Sequence, residues 1–229
     1  MLKSYKISLV LPCFNEAEGL RIILACVPSF IDEVVVVDNN STDKSKEVAF
    51  VYNVRVVEER KRGYGAAILR GLQSASGDIV VVMDADNSYP ISFSEQLCAE
   101  LIEGDYDIIT GCRFPLAESR SMPRMNVLAN LLISFLIRVL FNVDIIDSQS
   151  GMFILKKGIT EKLCVVDKGM AFSQEVKIKA WTNYYMKKKE TWIPYRRREG
   201  EVKFRGIIDG FINLSFVLRF YLKGLRKIV

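Results

Sequence analysis

Short runs of β-branched and other apolar residues, each followed by a stretch with helical spacing, constrain the first half of this chain most strongly. Residues 7–11, 33–37, 54–57, 78–83 and 108–110 are apolar runs too short for helices. Between them, residues 16–30 space Leu20, Ile23, Leu24 and Val27 at helical intervals. Residues 63–74 form a helix opened by glycine, and 91–102 read as another. Strands that are apolar on both faces, joined by helices, belong to a parallel sheet covered on both sides. The expectation is an α/β fold, a three-layer α/β/α sandwich with a mostly parallel sheet. At 229 residues the chain can bury one such core.

Ligands of these sheets bind beyond the carboxyl ends of the strands. The polar residues leaving the strands are therefore the candidates: Asn15 and Glu16, then Asp38 to Asn40, then Asp84 to Asn87. Asp84-Ala85-Asp86 ends the most apolar run, so its two carboxylates can converge on a divalent cation bridging two phosphates, or form a solvated turn. The chain has no histidine, which excludes Ser-His-Asp triads and His-ligated zinc. A bound metal must sit on oxygen, which points to Mg²⁺ or Mn²⁺. Asp38-Asn39-Asn40 can bond base edges or ribose hydroxyls, or make an Asx turn, with Ser41 or Thr42 capping the next helix. Gly63-Tyr64-Gly65 follows Lys61 and Arg62 and suits a phosphate or ribose at a helix N-terminus. The Gly-rich loop of a dinucleotide site is missing after the first strand, where Pro12-Cys13-Phe14-Asn15-Glu16 stands instead.

The second half changes character. Residues 126–142 form an apolar helical segment, followed by polar Asp147-Ser148-Gln149-Ser150-Gly151. A late strand over 190–194 leads into Arg196-Arg197-Arg198, either a solvated face or guanidinium forks for phosphate, with Arg124 a further cation. Residues 206–229 read as an amphipathic helix with its cations concentrated at the end. The division is thus 1–205 as a catalytic domain and 206–229 as an appended helix that binds a membrane surface or packs on the core. The net charge of +5 favours phosphate-bearing partners or anionic membranes. Five cysteines without a CxxC pair read as reduced core thiols of a cytoplasmic protein. No signal peptide is expected at the start, and no uninterrupted apolar run reaches the ~20 residues of a spanning helix.

Taken in order, these pieces resemble family-2 glycosyltransferases, which share the Rossmann-like A-type glycosyltransferase fold. The matching text runs from 11–16 through 36–43, Arg62 to Ala67 and 76–86. It continues through Thr110 to Phe114, Asp147 to Gly151 and Gly200 to Lys203, which look like the branch that glycosylates polyprenyl phosphates (dolichol-phosphate mannose synthase-like). The resemblance implies a nucleotide-sugar site lined by Pro12, Phe14, Glu16, Val37, Asp38, Asn39, Gly65, Asp84, Ala85 and Asp86. It implies metal on Asp84 and Asp86 with Ser88 beside it, and phosphates on Arg113, Arg124, Arg197 and Lys203. Asp86, Arg113 and Asp147 would carry catalysis, Asp147 holding a sugar hydroxyl or the acceptor. Asn39, Ser88, Tyr89 and Val202 depart from the residues common at their positions.

The implied reaction is inverting transfer of a hexose from GDP-mannose or a UDP-sugar to a polyprenyl or dolichyl phosphate. A lipid phosphate, with a second pKa of about 6, is already ionised and needs no base. Alternatives are a family-2 transferase with a soluble or polysaccharide hydroxyl acceptor, for which Asp147 could be the base, and a non-catalytic nucleotide-sugar-binding subunit. Nucleic acid is not an expected partner. A peripheral position on the cytoplasmic face of a membrane is, with an oligomer or a membrane partner possible.

Overall fold

The computed structural model describes residues 2–118, 121–201 and 206–225. Seven strands form one sheet in the order β3-β2-β1-β4-β6-β5-β7. They are β1 (Ile7–Cys13), β2 (Glu33–Asp38), β3 (Arg55–Glu58), β4 (Ile79–Val82), β5 (Ile108–Cys112), β6 (Phe153–Lys156) and β7 (Lys188–Trp192). Eight α-helices accompany them among the described residues: α1 (Ala17–Ala25), α2 (Ser45–Val51), α3 (Tyr64–Ser74), α4 (Phe93–Glu103), α5 (Arg124–Phe141), α6 (Ile159–Leu163), α7 (Phe172–Thr182) and α8 (Gly206–Leu225).

Alternation along each strand builds two cores. Leu9, Leu11, Val36, Val81 and Ile154 face α1, α2 and α4, whereas Val10, Val35, Val37, Val80 and Phe153 face α3, α6 and α7. Every residue of β1 and β4 is buried, as a central strand covered on both faces requires. β6 alone runs antiparallel, between β4 and β5. The chain leaves β5 at the carboxyl edge, makes an excursion through α5, and re-enters the sheet from the same edge as β6. An excursion that begins and ends at one edge returns an antiparallel strand. It also places residues 113–118 and 121–152 over the carboxyl ends of the strands.

Several boundaries differ from the sequence reading. β1 extends through Pro12 to Cys13, because Pro12 lies where the ladder to β2 passes on its way out of the sheet. Ser41 and Thr42 do not cap α2, which starts at Ser45. Both instead tie down the β1–α1 loop: the Asn15 N–H donates to Ser41 Oγ (3.0 Å) and Thr42 N–H donates to Asn15 Oδ1 (2.7 Å). The late strand spans 188–192 rather than 190–194. Cys13, Cys98 and Cys112 are buried thiols, but Cys26 and Cys164 are exposed because both lie just past the end of a helix.

The C-terminal helix packs on the core along one face and leaves apolar side chains uncovered on another. Val217 on α8 is fully buried against Ile133 and Ile137 of α5, and Phe220 meets Phe141 at 6.0 Å. Phe211, Ile212, Leu218 and Leu222 on the same helix stay exposed. α5 is the one described helix long and apolar enough to cross a membrane by length and composition, with a mean hydropathy of 1.6. Only 22% of it is buried.

Candidate active site at the carboxyl edge

A cavity of about 1590 Å³ opens at the carboxyl ends of β1, β2 and β4 and runs towards α5 and α8. That exceeds the ~300–1,000 Å³ of a typical small-molecule site and leaves room for a nucleotide sugar and the head of a second substrate. Of the residues chosen from the sequence, Pro12, Phe14, Glu16, Asn39, Asp84, Ala85, Asp86, Arg113, Arg124 and Arg197 lie on its wall. Val37, Asp38, Gly65, Ser88 and Asp147 are buried behind it. Lys203 lies outside the described residues.

The acidic pair is set by β4 and by a left-handed Asn87 (φ 62°), which turns the chain sharply out of the sheet. Asp84 Oδ1 accepts a hydrogen bond from the Tyr64 hydroxyl at 2.7 Å. Burial, reinforced by the charge of Asp86, raises the Asp84 carboxyl to about 7. Asp86 Oδ1 accepts from Ser88 Oγ (2.6 Å) and Ser88 N–H (3.0 Å), and Oδ2 lies 3.6 Å from Arg198. The Ser88 hydroxyl is thus spent on orienting Asp86. A buried carboxyl whose proton affinity is raised by burial and by a neighbouring carboxylate is short of positive charge, so an oxygen-ligated divalent cation fits here. Among the described residues no group of three or more acidic or cysteine side chains is placed to hold a metal ion by itself.

Two of the motifs also carry structural roles. The Asn39 amide is fully engaged, donating to the carbonyls of Glu59 (2.7 Å) and Lys61 (2.8 Å) and accepting from Gly63 N–H (2.9 Å). It braces the loop before α3 from the cavity wall. The N-terminus of α3 is likewise engaged by backbone. Gly65 and Ala66 N–H donate to the carbonyls of Gly169 (3.1 Å) and Lys168 (3.0 Å). A Cβ on Gly65 would come within 2.6 Å of the Asp167 carbonyl, so the glycine is there for backbone packing.

Behind the wall sits a buried ionic group. Arg113 holds Asp147 by a fork, Nε to Oδ2 at 2.7 Å and Nη2 to Oδ1 at 2.8 Å. The Ile146 and Asp147 N–H groups donate to Glu190, while the Lys177 ammonium donates to the Asp147 carbonyl and lies 3.9 Å from Glu190. Burial alone would favour the neutral acid, but Arg113 and Lys177 hold Asp147 well below the usual carboxylate range. The Arg113 guanidinium lies over the Tyr195 ring at 5.1 Å and reaches the cavity. Asp147, with no accessible surface, is a carboxylate that fixes an arginine and is not placed to act as a base.

The structure adds residues beyond the site set expected from the resemblance. Arg198 binds Glu16 at 2.6 Å, because Arg196 and Glu199 N–H bond the carbonyls of Ser88 and Asp86 and lay the 196–199 segment along the acidic turn. Tyr64, Tyr89 and Tyr195 also line the cavity, as does Arg62, stacked over Phe14 at 4.6 Å. The arginine run and the Arg62–Gly65 motif hinted at this, but neither said which guanidinium turns towards the acidic pair.

The profile of glycosyl transferase family 2 matches residues 8–164. A dolichol-phosphate mannosyltransferase of Pyrococcus furiosus is 31% identical over 216 residues, covering 88% of this chain and 60% of that protein. A dolichyl-phosphate hexose transferase of Haloferax volcanii is 28% identical, covering 89% of each chain. The chain spans about half (53%) of another relative, the low-salt glycan biosynthesis hexosyltransferase Agl6 of the same organism. Among solved structures, glucosyl-3-phosphoglycerate synthase of Mycobacterium tuberculosis with phosphoglyceric acid superposes with a TM-score of 0.75 at 21% identity, covering 97% of this chain and 81% of that one. The same enzyme with Mn²⁺, uridine diphosphate and phosphoglyceric acid gives 0.70 at 21% identity, over 95% and 78%. The sheet and its helices thus form the A-type glycosyltransferase fold, and the chain belongs to glycosyltransferase family 2.

Proposed function

We propose that the chain is an inverting, metal-dependent hexosyltransferase that moves a hexose from a nucleotide-diphosphate sugar to a polyprenyl or dolichyl phosphate. The observation that carries this reading is the composition of one cavity. Its β1–β4 end holds the buried acidic pair, and its other end holds Arg113 and Arg124 beside two helices with uncovered apolar faces. The names of the Pyrococcus and Haloferax relatives support the lipid phosphate as acceptor. Complexes of the structural neighbour with Mn²⁺ or Mg²⁺ and uridine diphosphate support the donor class.

In this reading Pro12, Phe14, Glu16 and Asn39 frame the nucleotide, and Asp84 and Asp86 hold the metal through carboxylate oxygens. When bound, that ion neutralises charge on the leaving diphosphate. Arg113, kept rigid by Asp147, orients the acceptor phosphate for in-line attack at the anomeric carbon, with Arg124, Arg197 and Lys203 adding positive charge. Proton removal is not required from an ionised phosphate, which agrees with a wall free of histidine and with an Asp147 already paired. A hydroxyl acceptor would need a free base, and the ion-paired Asp147 is poorly suited to that task. Exposed Leu128, Leu132 and Phe135 of α5 with Phe211 and Leu222 of α8 would lie on the cytoplasmic leaflet, bringing the cavity to the lipid head groups.

The test is transfer of radiolabelled hexose from GDP-mannose or UDP-glucose, with Mn²⁺, to a polyprenyl phosphate in detergent. The label should enter the organic-extractable fraction, and Asp86→Asn should lower that rate by about 10²-fold or more. Label recovered only in a water-soluble product, or full activity in Asp86→Asn, would refute the reading.

A further inference from the structure

The far wall of the cavity carries two amides with no role in the scheme above. Asn213 on α8 is 2% exposed and lines the cavity together with Gln149 and Asn130. Asn213 Nδ2 donates to Gln149 Oε1 at 3.0 Å. The other two polar atoms of the pair, Asn213 Oδ1 and Gln149 Nε2, are buried and have no partner among the described residues. Buried polar atoms are rarely left unmatched in a folded protein, and those that are commonly await a ligand or water.

The Gln149 segment is also well placed. Asp147, two residues before it, grips Arg113, and Gly151, two residues after it, lies so close to Asp84 that an added Cβ would stand 2.9 Å from Oδ1. The amide pair therefore borders the space between the acidic pair and the arginine, where the transferred sugar would reside. Its chemistry is selective as well. One open N–H donor beside one open C=O acceptor matches a hydroxyl, which donates and accepts at once. Exchanging O and N on both amides keeps their mutual bond and again leaves one donor and one acceptor open. A phosphate oxygen could satisfy only the donor.

The geometry points to Gln149 and Asn213 as a subsite that binds a ring hydroxyl of the transferred hexose, with α8 supplying half of it. This rests on the chain being a nucleotide-sugar transferase, but not on the acceptor being a lipid. The experiment is calorimetric binding of GDP-mannose, UDP-glucose and the free diphosphates GDP and UDP, all with Mn²⁺, to wild type, Asn213→Ala and Gln149→Ala. Each substitution should weaken the preferred sugar nucleotide about tenfold while leaving its free diphosphate unchanged. A deoxy-hexose donor lacking the bound hydroxyl should lose a similar factor against wild type and nothing further against Asn213→Ala.

Free-diphosphate affinity serves as the folding control, so an equal fall in both ligands assigns the amides to structure and overturns the subsite. Unchanged donor affinity with a raised KM for the acceptor also overturns it, since the hydroxyl would then not be the hexose's. Wild type that binds neither sugar nucleotides nor free diphosphates would instead remove the transferase reading on which the subsite stands.

Discussion

The half built from β1 to β4 and the lobe formed by α5 and α8 bury opposite things. Between the helices of the first half, Leu9, Val36, Val81 and their neighbours are almost wholly out of solvent, and polar groups collect at the strand ends. On α5 the inward face includes Asn130 and Ser134, while Leu128, Leu132, Phe135 and Val139 are each more than half exposed. Ser134 Oγ reaches Ser148 Oγ at 2.9 Å, so the inward face of α5 is held partly by hydroxyl hydrogen bonds. The first half is thus organised to exclude water, whereas the lobe leaves a row of apolar side chains uncovered.

The strongest blow to this contrast should fall where the two regions meet, at Arg113. It follows β5 directly and is fixed by Asp147 from the segment after α5. Arg113→Ala leaves a buried, uncompensated carboxylate, which costs about 3–5 kcal/mol where such pairs are broken. We expect kcat/KM to fall by about 10²–10³ and the melting temperature to drop by several degrees. An Arg113→Ala enzyme with near-normal turnover would show that the two regions are not joined through this residue.

Sequence alone revealed the first half far better than the second, and the reason is physical. Strands covered on both faces must be apolar at every position, so β1, β2, β4 and β5 stand out as runs, and Asp84 and Asp86 stand out as the charges that end one. α7 escapes the same reading because it is buried all round yet carries Gln174, Glu175 and Lys177, and Lys177 finds its partners, Asp147 and Glu190, on distant segments. The four-residue β6 is too short to announce its reversed direction, which depends on where the α5 excursion returns. Arg198 and Tyr64 owe their places beside the acidic pair to chain crossings that no local pattern records. The apolar stripe of α8 was legible, but not its division between Val217, buried on α5, and exposed Phe211 and Leu222.

A smaller effect should come from charging the outward face of the lobe. Phe135 is 57% exposed and Leu132 58%, so Phe135→Asp or Leu132→Asp removes no packed core. Burying one large apolar side chain contributes about 1.5–3 kcal/mol, so either variant should sediment with anionic vesicles about tenfold less than wild type. Melting temperature and binding of sugar nucleotide should stay as they were. If vesicle binding persists while the melting temperature falls, the exposed stripe belongs to ordinary packing and the contrast between the regions is lost.

The smallest effect sharpens the contrast from the other side, because at Asp84 the apolar half buries a carboxyl whose charge burial opposes. With its carboxyl raised from 3.8 to about 7, the folded protein holds a proton that the unfolded chain has already released at pH 5. Stability from this group is therefore greatest in acid, declines as pH rises from about 4 to about 7, and is level above that. Glu33, lowered to about 2 by bonds from Ser8 and Ser76 that outweigh its burial, changes in the opposite sense but only below about pH 5. Metal-free protein should accordingly melt a few degrees lower at pH 8 than at pH 5.5, and Asp84→Asn should lack most of that difference. Adding Mn²⁺ at pH 8 should restore the wild type and not the variant, since the cation supplies the positive charge that the proton supplied in acid. Equal response of both proteins to pH and Mn²⁺ would mean that Asp84 is solvated like the surface acids, and that the apolar half makes no exception at its catalytic edge.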